Sequence, residues 1–222
     1  MVSASVLIVL CSLLLIGLST ARARAKKIQC MSNLHQIGMA VLVYGGDHGV
    51  FVPCLTATGD WTDLLKPYLD EAGSTYSSPI DRSPVIVCPS RAIKLPDFET
   101  TYAAHRKVLV NMMGPDFDAP RRVANLTRPA EIVMLGDAMQ LPSYDGGRCV
   151  AAYDFQHDPE WTLQGVAATR DDPVSSVDMD ADGVGENVRF RHDGTANLLF
   201  ADGHISSMRP AEFKERHVML GY

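Results

Sequence analysis

Positive charge is in short supply in this chain. Lys and Arg number 20 against 26 Asp and Glu, giving a net charge of −6 and a pI of about 5.6. That balance argues against a nucleic-acid partner, whose phosphates call for a basic face. Neither a Gly-x-Ser-x-Gly elbow nor a Gly-rich phosphate loop occurs, so the usual sequence signals of a serine hydrolase and of a nucleotide enzyme are missing. There is no internal repeat and no sustained low-complexity tract, which sets aside repeat architectures and long disordered segments. Charge is absent from Val2 to Thr20 and proline from Val2 to Tyr44. The first absence permits a segment in lipid, and the second permits a helix to run on without a break.

What stands at the N-terminus uses both permissions. Val6 to Leu10 and Leu13 to Ile16 are continuous aliphatic runs inside nineteen uncharged residues, about the length that crosses a hydrocarbon core as a helix. A membrane anchor fits best. A cleaved signal peptide, with Ser19-Thr20-Ala21 at the cut, and a buried core helix are the competing readings; the missing positive n-region weighs against the former. Arg22, Arg24, Lys26 and Lys27 follow directly, a cluster that by itself would hold the C-terminal side in the cytoplasm. Beyond it, Ile28, Met31, Leu34, Ile37, Val41 and Tyr44 recur at steps of three and four. That is the apolar stripe of an amphipathic helix, with Asn33 and Gln36 placed off it. Gly45-Gly46-Asp47-His48-Gly49 predicts its end. One helix of about forty residues results, half for lipid and half for packing.

The C-terminal third reads as a β-meander. Asp193-Gly194 and Asp202-Gly203 supply the positive φ of two-residue hairpin turns. They separate strands expected over about 187–192, 195–201 and 204–208. Ala196, Leu198 and Phe200 alternate with Thr195, Asn197 and Leu199. Gly, Pro, Ser and Asp crowd residues 70–84 and 140–182, which read as surface loops. The whole is α+β: a long N-terminal helix, with its membrane half over 1–21 and its amphipathic half over 22–49, packed on a small antiparallel sheet within a globular domain over 50–222.

Candidate chemistry is sparse. Asp178, Asp180, Asp182 and Glu186 occupy positions 1, 3, 5 and 9 of a loop with Gly183 at position 6, a spacing that curls carboxylates round a calcium ion. Arg189 stands where an EF-hand has its bidentate Glu, so the choice is between a looser calcium loop and a solvated acidic turn. His192, Asp202 and His204 offer two imidazoles and a carboxylate, a set able to hold zinc or iron. Structural work in the hairpin turns is the plainer role of Asp193 and Asp202. Cys88 with a distant His has the composition of a nucleophile and base, but Cys-Pro in a turn is more often structural. His35 and His48 need no function, and His105 reads as exposed. Of five cysteines, Cys11 falls in the apolar run, while Cys30, Cys54, Cys88 and Cys149 admit three pairings.

Several segments, taken in order, carry a family resemblance. The stretch from Leu13 through Lys27-Ile28-Gln29-Cys30-Met31-Ser32-Asn33-Leu34 to Gly38 resembles the helix of prepilin-type proteins of the His-x9-Asp-Gly class, pseudopilin-like subunits of type II secretion or type IV pili. Tyr44-x-x-Asp47 leading to Pro53 resembles the family's exit from that helix, Trp61–Leu69 its second short helix, and Val87-Cys88-Pro89-Ser90 its Cys-Pro turn. Tyr102 with Asn111 resembles its Tyr…Asn segment and Arg128–Asp137 its central strand. His192, Asp202 and Gly203 are the signature itself. The likeness runs through nearly the whole chain except about 138–185.

The resemblance implies a structural subunit rather than an enzyme. Such a subunit is anchored in the inner membrane with its globular domain outside the cytoplasm, in the periplasm or at the cell surface, and its partners are other pilin-like subunits that it meets through the helix. It implies a Cys30–Cys88 bridge that ties the helix to the domain, and it favours calcium in a C-terminal loop. It also implies a basic leader and Gly-Phe-Thr-Leu-Ile-Glu, cut by prepilin peptidase after the Gly and methylated on the Phe. By alignment these lie upstream of Met1, and a leader there resolves the orientation conflict of the basic cluster. Two other classes compete: a membrane-anchored or secreted binding protein using the 140–180 loop with Trp161, Tyr144, Tyr153 and Phe155, and a metal-dependent enzyme built on His192, Asp202 and His204.

Overall fold

The computed structural model describes residues 2–69, 83–92, 100–113, 119–140, 152–153, 170–174 and 188–220. One helix, α1, runs unbroken over Val2–His48, about 70 Å at 1.5 Å per residue. The Gly45-Gly46 pair does not stop it. The stop is Gly49, whose φ of 71° lets its N–H donate back to the Gly45 carbonyl at 2.8 Å, the left-handed ending that glycine permits.

The two halves of α1 differ in what touches them. From Val6 to Leu18 the aliphatic side chains described are all exposed, Leu14 at 71%. From Cys30 onward, Cys30, Leu34, Ile37, Ala40 and Val41 are buried. The stripe is thus the expected one, shifted at its start: Ile28 remains 67% exposed, while Cys30 takes the inward place. Asn33 lies on the buried face as well, its side-chain amide donating to the Val87 carbonyl at 3.0 Å. A polar residue tolerates that position because the bond offsets its desolvation.

Short elements follow α1. Strands β1 (Leu55–Thr56) and β2 (Gly59–Asp60) form a two-stranded ribbon. The helix expected over 61–69 is two turns, α2 (Trp61–Leu64) and α3 (Lys66–Leu69). Asp60 caps the first, accepting from the Thr62 and Asp63 N–H groups; Pro67 cannot donate, so the helix is not continued as one ladder.

The main sheet orders five strands as β5-β3-β4-β6-β7, where β3 is Tyr102–His105, β4 Val133–Asp137, β5 Ala152–Tyr153, β6 Ala196–Phe200 and β7 Ile205–Met208. β3, β4, β6 and β7 pair antiparallel, as expected, and β5 adds a parallel edge beside β3. The alternation in β6 sends Leu199 toward α1 and Ala196, Leu198 and Phe200 to the far face, against Phe213 and Val218. Both faces are covered, so all of β6 is buried. Helix and sheet approach closely at Gly38, where an added Cβ would lie 2.9 Å from Leu199 Cδ1.

The two Asp-Gly turns are not alike. Asp193 and Gly194 both adopt positive φ, 52° and 73°, and His192 and Thr195 exchange backbone hydrogen bonds at 2.9 and 3.0 Å, the two-residue turn expected there. At Asp202-Gly203 only Gly203 has positive φ, 94°, and the Phe200 N–H donates to the His204 carbonyl. That connection has three residues, not two. The strand expected over 187–192 is reduced, in its described part, to two isolated bridges, Val188 with Ala138 and His192 with Thr195.

Candidate functional site

The signature residues part company in three dimensions. Asp202 and His204 sit together at the exposed turn after β6, His204 Nδ1 lying 2.6 Å from Asp202 Oδ1 and its ring stacked on Phe200. His192 lies before the other end of β6, only 4% exposed. The set of His192, Asp202 and His204 as one zinc or iron site is therefore corrected: the five-residue strand β6 keeps His192 apart from the other two, and they form no common metal site. Gly203 serves the turn.

His192 meets a different set. Its Nε2 lies 3.4 Å from Cys88 Sγ and 3.4 Å from Asp137 Oδ2. The Cys30 thiol donates to Asp137 Oδ1 at 3.4 Å, and one donor atom from each of Cys30, Cys88, Asp137 and His192 falls within 4.8 Å of the others. Cys30, Cys88 and Asp137 are fully buried.

Four separate elements build this tetrad. Cys30 comes from the packed half of α1. Cys88 follows a 3₁₀ turn at Pro84–Ile86 and opens the Cys-Pro turn, closed by the Arg91 N–H donating to the Cys88 carbonyl. Asp137 ends β4, the central strand, in register with Tyr102 of β3; partners across a ladder share a face, so both side chains reach Cys30. His192 is aimed by the Asp193-Gly194 turn. A shell of donors surrounds the four. Tyr102 O–H donates to Cys30 Sγ at 3.3 Å, Ser90 N–H to Cys88 Sγ at 3.4 Å, and Asn197 N–H to Asp137 Oδ2 at 2.8 Å. The Arg191 guanidinium lies 4.0 Å from Asp137 Oδ1.

Electrostatics follow from this packing. The neighbouring Cys30, helped by His192, outweighs burial and brings the Cys88 thiol down to about 6. Burial pulls His192 down, but Asp137 and Cys88 outweigh it and hold the imidazole at about 9. The pair therefore favours thiolate and imidazolium. It does not form a Cys–His–Asp relay, because such a relay needs the carboxylate on Nδ1 and the sulfur on Nε2; here one nitrogen faces both.

Cys30 and Cys88, the expected disulfide partners, are adjacent and present as free thiols. Cys54 is a further buried thiol and Cys11 an exposed one; Cys149 lies outside the described residues. So do Asp178, Asp180, Asp182 and Glu186, and with them the calcium loop, and also Tyr144, Phe155 and Trp161. The expectation that His105 is exposed is corrected: it is 1% exposed on β3, and burial, reinforced by the Lys107 charge, drives it down to about 3. Sequence reasoning placed Cys30, Cys88, Asp137 and His192 in four separate motifs but did not join them, since only the strand order brings them together. No family model, no curated protein and no solved structure matches this chain.

Proposed function

We propose that this protein is a pseudopilin-like structural subunit, held in the inner membrane by the first half of α1 and assembling with like subunits through that half in a secretion or pilus-like fibre. The observation that supports it most is the division of α1. It is the one helix among the described residues long and apolar enough to cross a membrane, its first half leaves aliphatic side chains uncovered, and its second half is built into the domain. An uncovered aliphatic helix is unfavourable in water by roughly 25 cal/mol per Å² and favourable in lipid, where its backbone is already satisfied. The globular domain, tied to the second half, then stands next to the bilayer outside the cytoplasm.

The test is a photo-crosslinking residue at Leu14 in the full chain, expressed in a cell envelope that assembles such fibres. The reading expects a ladder of self-adducts, lost when Leu18 is also changed to Arg. Adducts to lipid alone would refute assembly while leaving the anchor intact. Recovery of the protein in the soluble fraction would refute both.

A further inference from the structure

We infer that Cys30, Cys88, Asp137 and His192 form a closed four-ligand site for a zinc ion that staples α1 to the sheet. A tetrahedral zinc with Zn–S of about 2.3 Å and Zn–N or Zn–O of about 2.0–2.1 Å has ligand–ligand edges of roughly 3.3–3.8 Å. Cys88 Sγ and Asp137 Oδ2 each lie 3.4 Å from His192 Nε2, Cys30 Sγ lies 3.4 Å from the other carboxylate oxygen, Oδ1, and one donor atom from each of the four residues falls within 4.8 Å of the rest.

The direction of the donors supports the same reading. His192 Nε2 faces a sulfur and a carboxylate oxygen at once. A proton on that nitrogen points well at one of them; a cation between them serves all. Two thiolates and one carboxylate carry three negative charges, a zinc ion leaves one, and the Arg191 guanidinium beside Asp137 matches it. Each anionic ligand already accepts a hydrogen bond from outside the set: Cys30 from Tyr102, Cys88 from the Ser90 N–H, Asp137 from the Asn197 N–H. Such outer donors orient metal ligands and tune them. Four protein ligands and full burial leave no open position, which marks a structural rather than a catalytic zinc. The site stands whether or not α1 assembles into a fibre.

The experiment uses the full-length chain, purified in detergent under reducing conditions, with metal content measured by mass spectrometry and cobalt used as a spectroscopic stand-in. The expected result is a single zinc per chain, and on cobalt loading the absorption of a tetrahedral ion with thiolate charge-transfer bands. Asp137→Asn, which keeps a side-chain oxygen for the Asn197 N–H, should lose the metal. Tyr102→Phe should weaken binding by about 10–100-fold, and His204→Ala should bind as the parent does. A folded, reduced chain that takes no zinc, or cobalt spectra without thiolate bands, would overturn the site. A Cys30–Cys88 disulfide in protein isolated from its own membrane without reductant would overturn it as well, since oxidised sulfurs cannot act as thiolate ligands.

Discussion

Residues 6–26 and residues 27–48 belong to one helix with one hydrogen-bond ladder, yet they meet opposite surroundings. In the first stretch the described leucine, isoleucine and valine side chains are all exposed; in the second Leu34, Ile37 and Val41 are buried in the domain core that also holds Leu199 of β6, while Ile28 and Val43 stay exposed. Backbone propensity serves both halves equally, so it does not distinguish them. The distinction lies in how the apolar residues are arranged, because a stripe matches one solid partner and an all-round distribution matches a fluid one. In the function proposed above, a single element joins two solvents, and the body can be altered without touching the anchor.

That separation can be broken at several points. The largest effect is expected from Leu34→Ala, which empties a fully buried site and should cost about 2–5 kcal/mol of domain stability. Leu14→Ala, at an exposed site, should stay within about 0.5 kcal/mol. Denaturant unfolding followed by the fluorescence of buried Trp61 measures both; equal losses would erase the contrast. Next comes Leu14→Arg, which should weaken membrane insertion by about 3 kcal/mol and leave that unfolding curve in place. Membrane flotation reads the first, and unchanged flotation would count against lipid as the partner.

Acid should act on the body and spare the anchor. His105 is neutral when folded, with its value driven down to about 3, and in the unfolded chain it returns to about 6.5. The unfolded state therefore binds the extra proton between those values. The contribution is complete above pH 6.5 and is lost as pH falls toward 3, at up to ~1.4 kcal/mol per pH unit. Glu215 opposes it: burial, then Asp172, raises it to about 7, so its contribution declines as pH rises from about 4.5 to 7. His105→Gln should flatten the acid limb, and a limb unchanged by that substitution would assign acid sensitivity elsewhere. The smallest effect separates two glycines. Gly38→Ala gains about 1 kcal/mol of helix propensity but presses on Leu199, an overpacking cost of about 1–3 kcal/mol, so a net loss of about 1 kcal/mol is expected. Gly17→Ala meets nothing within 4 Å and should lose none.

Much of this architecture was legible in the residues. Steps of three and four found the packed stripe, alternation found the two faces of β6, and Asp193-Gly194 announced its turn through the φ only such residues accept. Local rules failed where a neighbour decided. Ile28 belongs to the stripe by spacing but lies at the edge of the domain, so Cys30 is the first inward residue. Asn33 is polar and still buried, because the Val87 carbonyl waits for it. The tetrad shows the limit most clearly. Cys88 and His192 are 104 residues apart, and nothing in either motif points at the other; they meet because β4 lies between β3 and β6.

That one helix spans two environments can be read from a nitroxide scan of α1 from residue 6 to residue 48, with the label carried on an unnatural amino acid and the full chain in a bilayer. Oxygen accessibility should be high at every position through about residue 20. Beyond residue 27 it should fall and oscillate with the helical period, with minima at residues 30, 34, 37 and 41. An oscillation of the same depth running through residues 6–20, or water-like accessibility there, would contradict the account.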